Sequence, residues 1–168
     1  MDSLDLKFDD NTFTTTITNF STTNVQDPPE MFAEVYRTLQ PDGLAMFLQW
    51  KRFTVADMIH EAQRSIRSDA TLMKVPKAEY MQDGYILSRV ESAGFKKTEQ
   101  RCLDVLVTGE QLEGLREFML GGFTKEARSE LTDEEQVRWP LAIDEAIKRE
   151  VSKNGGIKME AWLVTGRK

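Results

Sequence analysis

The sequence predicts an α/β fold, and three observations predict it. Short runs rich in Thr, Val, Ile and aromatic residues alternate with stretches whose apolar residues recur every three or four positions. Pro and Gly sit at the joints between the two kinds of segment, at "QPDG", "ESAGF" and "NGG". A chain of 168 residues is a one-domain length that buries about two-thirds of its unfolded surface. Alternating strands and helices pack as a sheet with helix-covered faces.

The first strand is expected over residues 12–20, where Phe13, Ile17 and Phe20 give the apolar content and Thr fills the rest. "VQDPPE" ends it. Asp27 can cap the helix that follows, and a Pro in the first helical turn gives up only an N–H that would be unpaired anyway. Met31, Phe32, Val35, Tyr36 and Leu39 then mark one helical face, and "QPDG" is read as the turn after it. "LAMFLQW" is a continuous apolar run, expected as a central strand covered on both faces.

Residues 54–68 predict an amphipathic helix with Val55, Met58, Ile59, Ala62 and Ile66 on its apolar stripe. A looser stretch leads to a helix at about 84–93, closed by Gly94. A strand follows over "KKTEQRCLDVLVTG", then helices near 110–121 and 132–153, the latter opened by the capping-box pattern "TDEE". "IKMEAWLVTGRK" ends the chain as a strand, with Ile157, Met159, Ala161 and Leu163 on one side. The expected order is β-α-β-α-α-β-α-α-β.

Composition narrows the classes of function. Apolar residues are 40% and charged residues 30% of the chain, as in ordinary globular proteins. A net charge of −6 gives no support to nucleic-acid or anionic-membrane binding, which needs a basic patch. Cys102 is the single cysteine, so neither an intrachain disulfide nor a Cys-based metal site is expected. It lies in the alternation "CLDVLV" and is expected to be buried. The N-terminus lacks the apolar segment of a secretory signal, and no run reaches membrane-spanning length. A cytoplasmic setting is expected.

The stretch "LKFDDNTFTTTITNF…PPEMFAEVYRTLQPDGLAMFLQW" resembles the middle of a class I S-adenosylmethionine-dependent methyltransferase. That family has an acidic-aromatic lead-in, a strand ending near Asn, a helix ending in E-hydrophobic-x-R-x-L-x-P-G-G, and a core strand. Glu34, Arg37, Leu39, Pro41 and Gly43 match it, with Asp42 in place of the first Gly. The resemblance, strongest to small-molecule methyltransferases of fungal secondary metabolism, implies a truncated Rossmann-like fold holding the fourth to seventh strands of the parent sheet. Residues 1–168 then form a single truncated domain, with a lid over 52–83 and a helical cap over 109–154.

No Gly-rich turn of the kind that holds the cofactor in this family occurs in the sequence, and "LGGF" and "NGGI" read as helix stops. Asp2 aligns with a family position that contacts adenine. No cofactor is therefore expected, S-adenosylmethionine only if a partner chain supplies the missing half. Without the first three strands, the strand Phe13–Phe20 becomes an open edge with no Lys, Pro or inward charge to protect it. A homodimer or heterodimer through that edge is expected.

By position in the family, Asn19, Phe20, Trp50, Phe53 and Tyr80 line a substrate cavity, with His60 as the catalytic acid or base. Trp50 reads equally as a stacking surface or as a core aromatic closing the sheet end. His60 is the only histidine and has the ionisation range for proton transfer. It lies off the apolar stripe, where an exposed or helix-paired ring is the plainer reading. No metal site is expected, since "ADMIHE" offers one His among carboxylates. The expected function is a small-molecule biosynthetic enzyme that isomerises or cyclises its substrate without methylating it. The alternative is a subunit of a split or partner-dependent methyltransferase, or a non-catalytic accessory protein.

Overall fold

The computed structural model describes residues 2–22 and 29–168. Along the chain come β1 (Phe13–Asn19), α1 (Pro29–Thr38), β2 (Leu39–Arg52), α2 (Thr54–Ile66) and a short 3-10 helix, Ala78–Met81. Then follow α3 (Tyr85–Ser92), β3 (Lys96–Val107), α4 (Gln111–Leu120), a 3-10 turn at Gly122–Thr124, α5 (Asp133–Gln136), α6 (Trp139–Asn154) and β4 (Ile157–Arg167). The four strands form one sheet in the order β1-β2-β4-β3. β1 runs parallel to β2, and β4 runs antiparallel to β2. The α/β class and every strand expected from the sequence are present, and β1 lies at a sheet edge.

The chain divides into two compact units, Met1–Arg52 with Pro76–Leu103 and Glu160–Lys168, and Phe53–Val75 with Asp104–Met159. In the first unit, Met31, Phe32 and Val35 of α1 meet Ala45 and Phe47 of β2, Ile86 and Val90 of α3, Phe95 and Val164. Phe47 is fully buried, with its ring 5.1 Å from Phe32 and 5.8 Å from Phe95. In the second unit, the predicted stripe of α2 (Val55, Met58, Ile59, Ala62) packs with Met119 of α4 and with Trp139, Ile143 and Ala146 of α6. Each Val, Ile, Met or Phe side chain among these, fully removed from water, stabilises the fold by about 1.5–3 kcal/mol. Trp139 also donates its indole N–H to the Met119 carbonyl at 3.1 Å, so its buried polar atom is satisfied.

The "QPDG" segment departs from the expected turn between helix and strand. β2 begins at Leu39, opposite Phe13, and the next paired residues are Leu44 and Thr15, so residues 40–43 loop out as a bulge within the strand. Asp42 sits at φ 61°, in the left-handed region. A Cβ on Gly43 would lie 2.6 Å from Leu39 Cγ and 2.8 Å from the Gln40 carbonyl oxygen. The bulge is tied to the end of the chain: Asp42 N–H donates to the Lys168 carbonyl, Lys168 N–H to the Gly43 carbonyl, and Arg167 Nη1 to the Asp42 carbonyl at 2.8 Å.

Other expectations are corrected. The helix expected over 132–153 is two helices, α5 and α6, with Val137 and Arg138 between them. Pro140 in the first turn of α6 has no N–H to continue a helix from the preceding turn, and is tolerated only at a new start. The Thr132–Glu135 capping box is present and opens α5. "LAMFLQW" is not covered on both faces: Ala45, Phe47 and Gln49 are buried, while Leu44, Met46, Leu48 and Trp50 are half-buried. Cys102 is exposed rather than buried, because β3 is the opposite edge strand of the sheet. The proposed cap Asp27 lies outside the described residues, although Pro29 does occupy the first helical position of α1.

Candidate functional site

The carboxyl ends of the parallel strands β1 and β2 are where ligands collect in open α/β sheets. Phe20 directly follows β1, and Trp50 lies near the end of β2. Their rings stack with centroids 3.9 Å apart and planes 16° from parallel. Phe20 adopts φ 53°, a backbone region that is sterically costly for a bulky L residue and clusters at functional positions. Its N–H still donates to the Leu48 carbonyl at 3.0 Å, so the chain leaves the ladder just after that bond and turns the ring onto Trp50. Asn19 is exposed at the last position of β1.

Next to Trp50 on β2 is a polar arrangement that was not expected from the sequence. Gln49 is fully buried. Its Oε1 accepts from the Thr22 hydroxyl at 2.7 Å, and its Nε2 donates to the Tyr80 carbonyl at 3.4 Å. Trp162 of β4 donates its indole N–H to the Met81 carbonyl at 2.9 Å. The 3-10 helix 78–81 is thereby fastened to β2 and β4. Tyr80 is 94% buried by its 6% exposure and lies against Tyr85 with centroids 5.1 Å apart. Its ring is thus packed inside the first unit, and only its carbonyl reaches Gln49. A polar residue within an apolar strand was the available sequence signal for Gln49.

On β2 beyond Trp50, the Lys51 ammonium lies 3.1 Å from a Glu160 carboxylate oxygen, 3.5 Å from Cys102 Sγ and 5.0 Å from the centre of the Trp162 ring. The Glu160 hydrogen bond, followed by that to Cys102, raises the Lys51 pKa above its usual value. Lys51 is a fixed cation at neutral pH.

Phe53 and His60 belong to the second unit. Phe53 packs against that unit's core, with its ring 6.4 Å from Phe123 in an edge-to-face arrangement. His60 Nε2 lies 2.8 Å from the Met73 carbonyl oxygen. A carbonyl only accepts, so Nε2 carries the hydrogen and Nδ1 is the ring atom able to take a proton. The neighbouring Gln63, 1% exposed, pins the same loop: Nε2 donates to the Thr71 and Ala127 carbonyls and Oε1 accepts from Met73 N–H, each at 2.9 Å. Thus Asn19, Phe20, Trp50 and Tyr80 share the first unit, and Phe53 and His60 the second.

Residues 1–47 match the family model for a methyltransferase domain. No curated protein matches the chain in sequence. Among solved structures, an Anabaena variabilis protein assigned as a methyltransferase of an antibiotic biosynthesis pathway matches 96% of this chain and 70% of its own, at 9% identity and TM-score 0.58. A Bacillus halodurans protein assigned as a methyltransferase matches 99% of this chain and 75% of its own, at 13% identity and TM-score 0.50. Phosphoethanolamine N-methyltransferase 2 of Haemonchus contortus, bound to S-adenosyl-L-methionine, matches 99% of this chain and 36% of its own, at 15% identity and TM-score 0.51. The chain thus spans between about a third and three-quarters of these proteins.

The expectation of no cofactor is corrected by these comparisons, because the fold is one in which S-adenosylmethionine is bound. The residue aligned with adenine contact, Asp2, is exposed, and its Oδ1 accepts from Leu4 N–H at 3.0 Å. One exposed carboxylate does not by itself make an adenosyl site. Among the described residues, no helix is long and apolar enough to cross a membrane.

Proposed function

We propose, from a chain that carries the class I S-adenosylmethionine-dependent methyltransferase fold, that it supplies the substrate side of a methyltransferase acting on a small, planar, conjugated organic molecule of the natural-product type. The Phe20–Trp50 stack at the carboxyl ends of β1 and β2 carries this reading. Two parallel rings present an apolar, polarisable surface on which a flat substrate gains about 0.5–1.5 kcal/mol beyond area burial. The strained backbone at Phe20 is what a packing role alone would not require. Thr22 and the Tyr80 carbonyl tie down Gln49, the residue before Trp50 on β2, and so fix the strand end that carries Trp50, as a preorganised site needs. The transferable methyl group is the chemistry S-adenosylmethionine supplies when bound, and the residues here orient the acceptor.

The test is incubation of the protein with S-adenosylmethionine and a panel of planar phenols and conjugated acids, with products read by mass spectrometry. A product heavier than its substrate by one CH2, lost in Trp50→Ala, supports the reading. A product of unchanged mass would instead favour the isomerisation or cyclisation expected from the sequence. Neither product, with no binding, would overturn the proposal.

A further inference from the structure

Among the described residues, β1 is an edge strand whose outer side is unpaired within the sheet, and it differs from protected edges in three ways. Residues 13–22 carry no charged side chain, in a chain where 30% of residues are charged. Ile17 is 64% exposed. The Thr16 hydroxyl oxygen is buried and has no hydrogen-bond partner, a condition that costs about 1–3 kcal/mol. Beside the strand opens an apolar groove of about 330 Å³, lined by Leu6, Phe8, Phe13, Ile17, Met31 and Val35 among others.

The direction of the backbone groups fixes what can pair there. Thr12 N–H donates to the Thr38 carbonyl and Phe20 N–H to the Leu48 carbonyl. Backbone groups alternate along a strand, so the even-numbered residues face β2 and Phe13, Thr15, Ile17 and Asn19 face outward. An antiparallel strand centred on Thr16 then exchanges hydrogen bonds through Thr15 with residue 17, and through Phe13 with residue 19. These four outward residues are self-complementary about Thr16, which is the requirement of a two-fold interface.

We propose that β1 pairs antiparallel with β1 of a second copy of this chain, across a two-fold axis at Thr16. The occupant is a second copy because the strand is neutral, so self-pairing brings no like charges together. It is also the one partner that necessarily places a threonine hydroxyl opposite Thr16. At that non-hydrogen-bonded position the two Cα atoms come within about 4.5 Å. Each Thr16 hydroxyl then gains its missing partner, and each Ile17 lies against the other copy's Thr15. The interface stands independently of the proposed substrate.

Multi-angle light scattering on the eluting wild-type protein at micromolar concentration should give twice the 19.3 kDa chain mass. Ile17→Lys, which sets a charge into the pairing, should give the single-chain mass with an unchanged far-ultraviolet spectrum. In a Cys102→Ser background, Thr16→Cys should form an interchain disulfide under mild oxidation and Thr18→Cys should not, since residue 18 faces residue 14 across the axis. A wild-type protein at the single-chain mass, or equal crosslinking through positions 16 and 18, would overturn the proposal. The crosslink comparison decides the matter even if Ile17→Lys does not fold.

Discussion

Glu34 and Arg37, one turn apart on α1, lock together and hold the acidic lead-in of the chain against the helix. Arg37 Nε and Nη2 donate to the two Glu34 carboxylate oxygens at 2.7 and 2.8 Å. Arg37 also donates to the Leu6 and Phe8 carbonyls and to Asp10, while Glu34 accepts from Leu6 N–H at 2.8 Å. The Glu and Arg of the family-like helix ending are thus one bidentate device that positions residues 6–10 beside β1.

Arg37→Met should release that lead-in. Limited proteolysis should cut within residues 2–10 faster than in the wild type, and the urea midpoint should fall with an unchanged m-value. Equal cleavage rates would show that the clamp does not hold the segment.

The same clamp makes stability depend on pH. The Arg37 hydrogen bonds, then the Leu6 N–H, hold Glu34 down to about 2, and Arg67 with the Thr132 backbone does the same for Glu135. In both cases the folded carboxyl binds protons less readily than the unfolded one, whose pKa is 4.5. Their contribution is therefore complete above pH 4.5 and lost as pH falls towards about 2. Urea midpoints measured across that window should decline in the wild type and decline less in Glu34→Gln/Glu135→Gln.

The bulge at 40–43 predicts opposite outcomes at adjacent positions. Asp42→Gly relieves a left-handed residue at φ 61° and should raise stability by up to about 1 kcal/mol. Gly43→Ala forces a Cβ against Leu39 and the Gln40 backbone and should lower it by about 1–3 kcal/mol. Chemical denaturation of the two variants checks the signs.

In the second unit, Gln63→Ala removes three hydrogen bonds from a buried site. Met73 N–H and two carbonyls lose their partner, so a loss of about 3 kcal/mol is expected. Thermal denaturation should show a clear drop in Tm, and Gln63→Glu should not restore it, because a carboxylate cannot donate to the carbonyls.

The strands and main helices were legible in the sequence because periodicity reports burial, and burial decides which face each element presents. The edge position of β1 was legible from the resemblance and from its Thr-rich composition. Three features were not. The bulge at Gln40–Gly43 looks in sequence like any Pro-Gly turn, and only the pairing of Phe13 with Leu39 places it inside a strand. The break before Trp139 depends on where a helix starts relative to Pro140. Cys102 is exposed because β3 is an edge, which is a property of strand order. Phe20 and Trp50 were singled out by their position in the family that the sequence resembles. The Thr22–Gln49–Tyr80 network joins partners 27 and 31 positions apart; Gln49 stands out as polar in an apolar strand, but no local pattern signals its partners.

The substrate surface is tested most directly by titrating the protein with planar conjugated ligands, following tryptophan emission and confirming by calorimetry. Saturable binding in the wild type, weakened roughly three- to tenfold in Trp50→Ala and in Phe20→Ala, is the result predicted here. Binding of equal strength in those two variants, or none across the whole panel, would contradict it.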